Sequence, residues 1–222
     1  MIAPRRTRLP KYRRPKQRRR RRRTPLQFSP TAWAKLLFLR DLGPTEIGGF
    51  GITDADNPLL VTEFVMPEQV CTLTSVDFAE EAIADFVDRQ VDQGRSPAEC
   101  LRIWIHTHPG GCPLPSPTDE ATFKRVFGET DWSVMFILAR SGATYGRLQI
   151  QDGPHVVKRL SVSIDYSQPF DGSDHEAWQA ELEQNVAIVD PFGPSMGKDA
   201  PQFIAVPHGR RHEGSDDPGW WR

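Results

Sequence analysis

Leu101-Arg102-Ile103-Trp104-Ile105-His106-Thr107-His108-Pro109, then Gly110-Gly111-Cys112-Pro113-Leu114-Pro115, then Ser116-Pro117-Thr118-Asp119: the rest of the chain is organised around this run. Its first residues are bulky and apolar, and they read as a short strand leading straight into His106. Side chains two apart on a strand share a face, so His106 and His108 converge while Thr107 points the other way. The Pro/Gly loop breaks the strand. Ser116-Pro117 then has the pattern of an N-cap followed by Pro at the first helical position, opening a helix to about Phe127. Such a helix can swing Asp119 back over the strand end. Two imidazoles and a carboxylate with a fourth position open are the donors of a catalytic zinc, His106, His108 and Asp119 being its ligands. Zinc lowers the pKa of bound water to roughly 7, which makes hydroxide available at neutral pH.

Hydrolysis also needs a proton acceptor beside the water and a donor for the developing oxyanion. Ser116, one helical turn before Asp119, suits the second task. For the first, the candidate is Glu46, at the start of an expected strand over residues 46–53 in which Gly49 and Gly51 permit close approach. No local pattern ties Glu46 to the histidines.

Around this centre the chain reads as a helix after Ser29-Pro30 and a hairpin of residues 46–53 and 59–66. An amphipathic helix over 75–91 follows, with Val76, Ala79, Ile83, Phe86 and Val87 at helical spacing. Beyond the motif come a nearly continuous apolar strand at 132–139, strands near 145–151 and 156–164, and a helix over 174–186. The order α-β-β-α-β-α-β-β-β-α predicts an α/β fold with a single mixed β-sheet flanked by helices.

The string H-x-H-P-x(6)-S-x-x-D, filled here by His106, His108, Pro109, Ser116 and Asp119, resembles the signature of the JAMM (JAB/MPN) zinc metalloprotease family. Glu46-Ile47-Gly48-Gly49 resembles the family's early Glu strand, and the likeness covers roughly residues 28–165. It implies a JAB/MPN sandwich of the cytidine-deaminase-like kind, one Zn2+ on His106, His108 and Asp119, Glu46 as acid/base and Ser116 as oxyanion donor. It also implies a peptide or isopeptide substrate, of the ubiquitin-like kind cut after a C-terminal glycine. The segments around the motif are short, which points to a compact, prokaryotic-like enzyme acting on a small ubiquitin-like or sulfur-carrier protein. The rival expectations are a non-catalytic MPN-type scaffold, against which every ligand position is filled, and a polyanion-binding module that works through the basic N-terminal arm.

Each part has a plainer reading by itself. His106-x-His108 alone is an ordinary strand-end pair, and Ser116-Pro117-Thr118-Asp119 alone is a capping box. Cys112 reads as a small loop residue near the metal. His208 and His212 have helical metal spacing but lie among Gly, Pro and Arg, and Trp220-Trp221 offers a docking element for a partner or for the body itself.

Charge divides the chain sharply. Of 28 Lys and Arg, 13 lie in residues 1–23, and no Asp or Glu precedes Asp41, so an acidic body follows a basic arm. Composition makes residues 1–27 a disordered arm, 28–186 the metalloprotease-like domain and 187–222 a Pro/Gly-rich tail. Residues 5–23 are the candidate for non-specific contact with nucleic acid or another polyanion, with steep salt dependence. Three cysteines and no apolar run of about 20 residues predict a reducing, cytoplasmic setting without membrane contact.

Overall fold

In the computed structural model, which describes residues 25–189, the chain runs β1 (Pro25–Phe28), α1 (Pro30–Leu42), β2 (Gly48–Thr53), β3 (Leu60–Val65), β4 (Gln69–Cys71) and β5 (Val76–Phe78). It continues through α2 (Glu80–Asp92), α3 (Pro97–Cys100), β6 (Ile103–His108), α4 (Pro117–Phe127), β7 (Trp132–Ala139), β8 (Thr144–Ile150), β9 (Val156–Ile164), α5 (His175–Asn185) and β10 (Val186–Ile188). The polyanion contact assigned to residues 5–23, His208, His212 and the Trp220-Trp221 pair lie outside the described residues. Among the described residues no helix is long and apolar enough to cross a membrane.

The single mixed sheet flanked by helices does not form. Seven strands close into a mixed barrel in the order β1-β3-β2-β6-β7-β8-β9, and β4, β5 and β10 make a separate three-stranded sheet. The open sheet of the JAB/MPN sandwich is corrected with it. The physical cause is β1, whose first three residues composition counts with the arm. It runs parallel to β3, with Gln27 opposite Leu60, and parallel to β9, with Leu26 opposite Val162 and Phe28 opposite Ile164. Four residues thus satisfy both edges that an open sheet would leave unpaired. Leu26 and Phe28 are fully buried, the latter's ring 5.2 Å from Trp33 and 5.0 Å from Phe136.

The small sheet was also hidden. Residues 75–91 read as one helix, but Val76-Asp77-Phe78 alternates buried, exposed, buried and pairs antiparallel with β4 before α2 begins. The alternation is too short to stand out against the helical spacing that follows it.

Helices pack on both faces of the barrel wall. Strand alternation sends Ile103 and Ile105 toward a core shared with α1 and α5, built on Leu36, Leu39, Phe136 and Trp178. Trp104 goes the other way, into a core with Phe86 of α2 and Phe123 and Phe127 of α4. Both helices of the first core are anchored locally: Ser29 caps α1 by accepting from the Ala32 N–H at 3.1 Å, and Asp174 caps α5 by accepting from the Ala177 N–H at 3.0 Å. Lys35 of α1 and Glu181 of α5 form an ion pair, and Glu181 also accepts from the Met66 N–H at 2.9 Å. β2 is buried along its whole length, and its glycines make this possible. A Cβ on Gly49 would sit 2.3 Å from the Val65 carbonyl oxygen.

Candidate metal centre

β6 carries His106 and His108 on the face that looks toward α4, and it ends against the loop of residues 109–116. α4 starts where the sequence places it. The Ser116 hydroxyl accepts from the Asp119 N–H at 3.1 Å, and Asp119 Oδ2 accepts from the Ser116 N–H at 2.6 Å. This capping box satisfies two helix-end donors and fixes the Asp119 rotamer in the same stroke. The carboxylate is buried and aimed at the strand end.

Three donors meet there. His106 Nε2 and His108 Nε2 are 3.2 Å apart, and Asp119 lies 3.4 Å from the first and 3.5 Å from the second. One ligand atom from each residue falls within 4.8 Å of the others, a buried His-His-Asp group that can hold a metal ion. His108 Nδ1 is 2.9 Å from the Cys112 carbonyl, which can only accept, so Nδ1 carries the proton and Nε2 offers its lone pair inward. That makes Cys112 part of the site through its backbone, while its thiol is exposed.

Glu46 joins the group from just before β2. Gly48 pairs with His106 in the β2–β6 ladder, and the ladder is extended by Thr107 N–H donating to the Ile47 carbonyl at 2.9 Å. The Ile47 N–H returns a bond to the Thr107 hydroxyl at 3.1 Å. Glu46 Oε1 therefore comes within 3.7 Å of His108 Nε2, and Glu46 Oε2 is buried with no hydrogen-bond partner among the described residues. An orphaned carboxylate oxygen beside three converging donors fits a cation and a water at this place.

Electrostatics follow from burial and spacing. Burial pushes the Glu46 carboxyl up to about 8, opposed by His108 and reinforced by Asp119. Burial drives His106 down, partly offset by Asp119. For His108, burial works against the charge, but the Asp119 and Cys112 hydrogen bonds and the Glu46 charge outweigh it and raise the group. Asp119 also resists burial. The two histidines and the Ser116 N–H hold it well below the usual carboxylate range.

Of the five residues nominated by the sequence, the structure brings His106, His108, Asp119 and Glu46 together and sets Ser116 beside Asp119 as the α4 cap. The sequence reading places Thr107 on the opposite face and gives no role to it, although it couples Glu46 to the histidines, nor to Arg140. The Arg140 N–H donates to the His108 carbonyl at 2.9 Å while its guanidinium holds the Gly43 carbonyl at 2.6 Å, ahead of Glu46. The only sequence signal for Thr107 is a polar residue where an apolar one would complete the strand.

In comparisons with known proteins, no family model matches the chain and no curated protein matches it in sequence.

Proposed function

We propose that the protein is a zinc-dependent hydrolase of the JAMM type, cleaving a peptide or isopeptide bond at the C-terminus of a small ubiquitin-like or sulfur-carrier protein. The observation that carries this reading is the convergence of His106, His108 and Asp119 with Glu46, whose Oε1 lies 3.7 Å from His108 while its buried Oε2 has no hydrogen-bond partner among the described residues. The reading rests on the site and on the motif residues, and the barrel contributes only the register that assembles them.

His106 Nε2, His108 Nε2 and an Asp119 oxygen would hold the ion. Zinc in such a donor set supplies Lewis acidity, polarising a carbonyl and acidifying water. The chain's own groups do the rest. Glu46 accepts a proton from the attacking water on a carboxylate oxygen and delivers it to the nitrogen of the leaving amine. Beside a bound cation Glu46 would be favoured in its charged form, below the value of about 8 that burial gives it, and so be free to accept that proton. The Ser116 hydroxyl accepts from Asp119 and keeps its own proton, free to donate to the carbonyl oxygen as negative charge develops there.

The test begins with metal content of the protein beside His106→Ala and Asp119→Ala. About one zinc per chain, lost in both variants, is expected. With ubiquitin-like fusions as substrates, Glu46→Gln is expected to keep the zinc and lose turnover. A wild-type chain that takes up no zinc overturns the reading, and turnover surviving in Glu46→Gln overturns the mechanism.

A further inference from the structure

We propose that Trp104 is a positioning residue for the metal centre, locking the His106 ring and setting the spacing between the strand and the helix that supply the ligands. The inference rests on the zinc reading above.

The two histidines are held by different means. His108 is fixed by its Nδ1–H bond to the Cys112 carbonyl. His106 has no such bond. Its Nδ1 is buried without a partner among the described residues, although a ligating imidazole ordinarily uses that atom to set its orientation. What it has is a stacked ring. The Trp104 indole lies 4.2 Å from the His106 ring at an interplanar angle of 28°. Trp104 Nε1 is also buried and has no partner among the described residues, so the indole serves as a flat surface and not as a donor.

The stack continues to the third ligand's helix. The Phe123 ring is 6.2 Å from Trp104 at 22°, and Phe123 lies four residues after Asp119 on α4. Residues four apart share a helix face, so the face that presents Asp119 to the metal is the face that rests on Trp104. On the far side, the Arg147 guanidinium stands 5.1 Å from the Phe123 ring and binds Glu120 bidentately at 2.6 and 2.7 Å. Ring on ring, the distance from His106 to Asp119 is set by aromatic thickness, with Arg147 holding α4 against it.

The experiment compares Trp104→Phe and Trp104→Leu in the full chain. It reads zinc affinity by chelator competition, the visible spectrum of the cobalt-loaded form, and thermal melting of the metal-free form. Trp104→Leu is expected to weaken zinc about 10- to 100-fold and to alter the cobalt spectrum, with Trp104→Phe recovering most of the loss. A role in packing alone would lower metal-free melting in both variants and leave the zinc affinity of folded protein unchanged, which overturns the proposal. If Trp104→Leu does not fold, Phe123→Leu tests the other end of the stack by the same readings. The wild-type protein provides a further check by nitrogen-15 NMR of the zinc-loaded form. The His106 Nδ1–H is expected to exchange slowly and to be shifted upfield by the indole ring current. An unshifted or fast-exchanging proton overturns the proposal. Wild-type protein that binds no zinc removes the zinc reading and this inference together, whereas zinc bound equally by wild type and Trp104→Leu removes this inference alone.

Discussion

Ile47 and Thr107 exchange two hydrogen bonds, backbone to backbone at 2.9 Å and Ile47 N–H to the Thr107 hydroxyl at 3.1 Å, and Glu46 stands beside one partner while His106 and His108 flank the other. The pair converts a residue 60 positions away into a neighbour of the metal ligands. Replacing Thr107 by Val keeps the shape but leaves the buried Ile47 N–H without its side-chain acceptor, at a cost of about 1–3 kcal/mol. Turnover should fall with zinc still bound, and Thr107→Ser should restore both. Chemical denaturation and kcat measured side by side check this, and a Val variant as stable as wild type would contradict it.

Glu46 makes stability of the metal-free protein depend on pH in a defined direction. Its ordinary value is 4.5 and burial raises it to about 8 in the folded chain. Between those values the folded state keeps a proton that the unfolded state has released, so this group's contribution declines as pH rises from about 4.5 through about 8. Denaturation midpoints of metal-free wild type should fall across that window more steeply than those of Glu46→Gln. Equal slopes would show that Glu46 is not held protonated.

Ser116 has two jobs that can be separated. Ser116→Ala removes the α4 cap, costing about 1 kcal/mol, whereas Ser116→Gly costs only a few tenths. Both remove the hydroxyl proton proposed for the oxyanion, so both should lower kcat by about 10²–10³ with zinc retained. Melting curves and kinetics on the two variants decide it. Activity that tracks stability, with Gly near wild type, would leave Ser116 as a cap only.

Phe28 tests barrel closure. It is the buried end of β1, packed on Trp33 and Phe136, and Phe28→Ala should cost about 3–5 kcal/mol. Hydrogen exchange should speed up in β3 and β9, the two strands that β1 joins, before it does so in β6 and β7. Uniform loss of protection would show that β1 is not an independent closing element.

The sequence alone determined the site's local halves. His106-x-His108 on a strand and Ser116-Pro117-Thr118-Asp119 at a helix start are dictated by strand alternation and helix capping, both of which act within a few residues. α1, α4, β7 and β9 were legible for the same reason: each is long or punctuated enough to show its period. Tertiary structure alone decided what depends on contacts between distant segments. β1 and β5 are four and three residues long, and they are strands because β3, β9 and β4 supply the missing backbone partners. Pairing across such separations depends on the whole packed chain and leaves no mark in a local window. The open sheet expected from element order became a barrel on that account. The approach of Glu46 to His108 and the stacking of Trp104 between His106 and Phe123 belong to the same class, because register between strands and contact between strand and helix are settled only when both cores close.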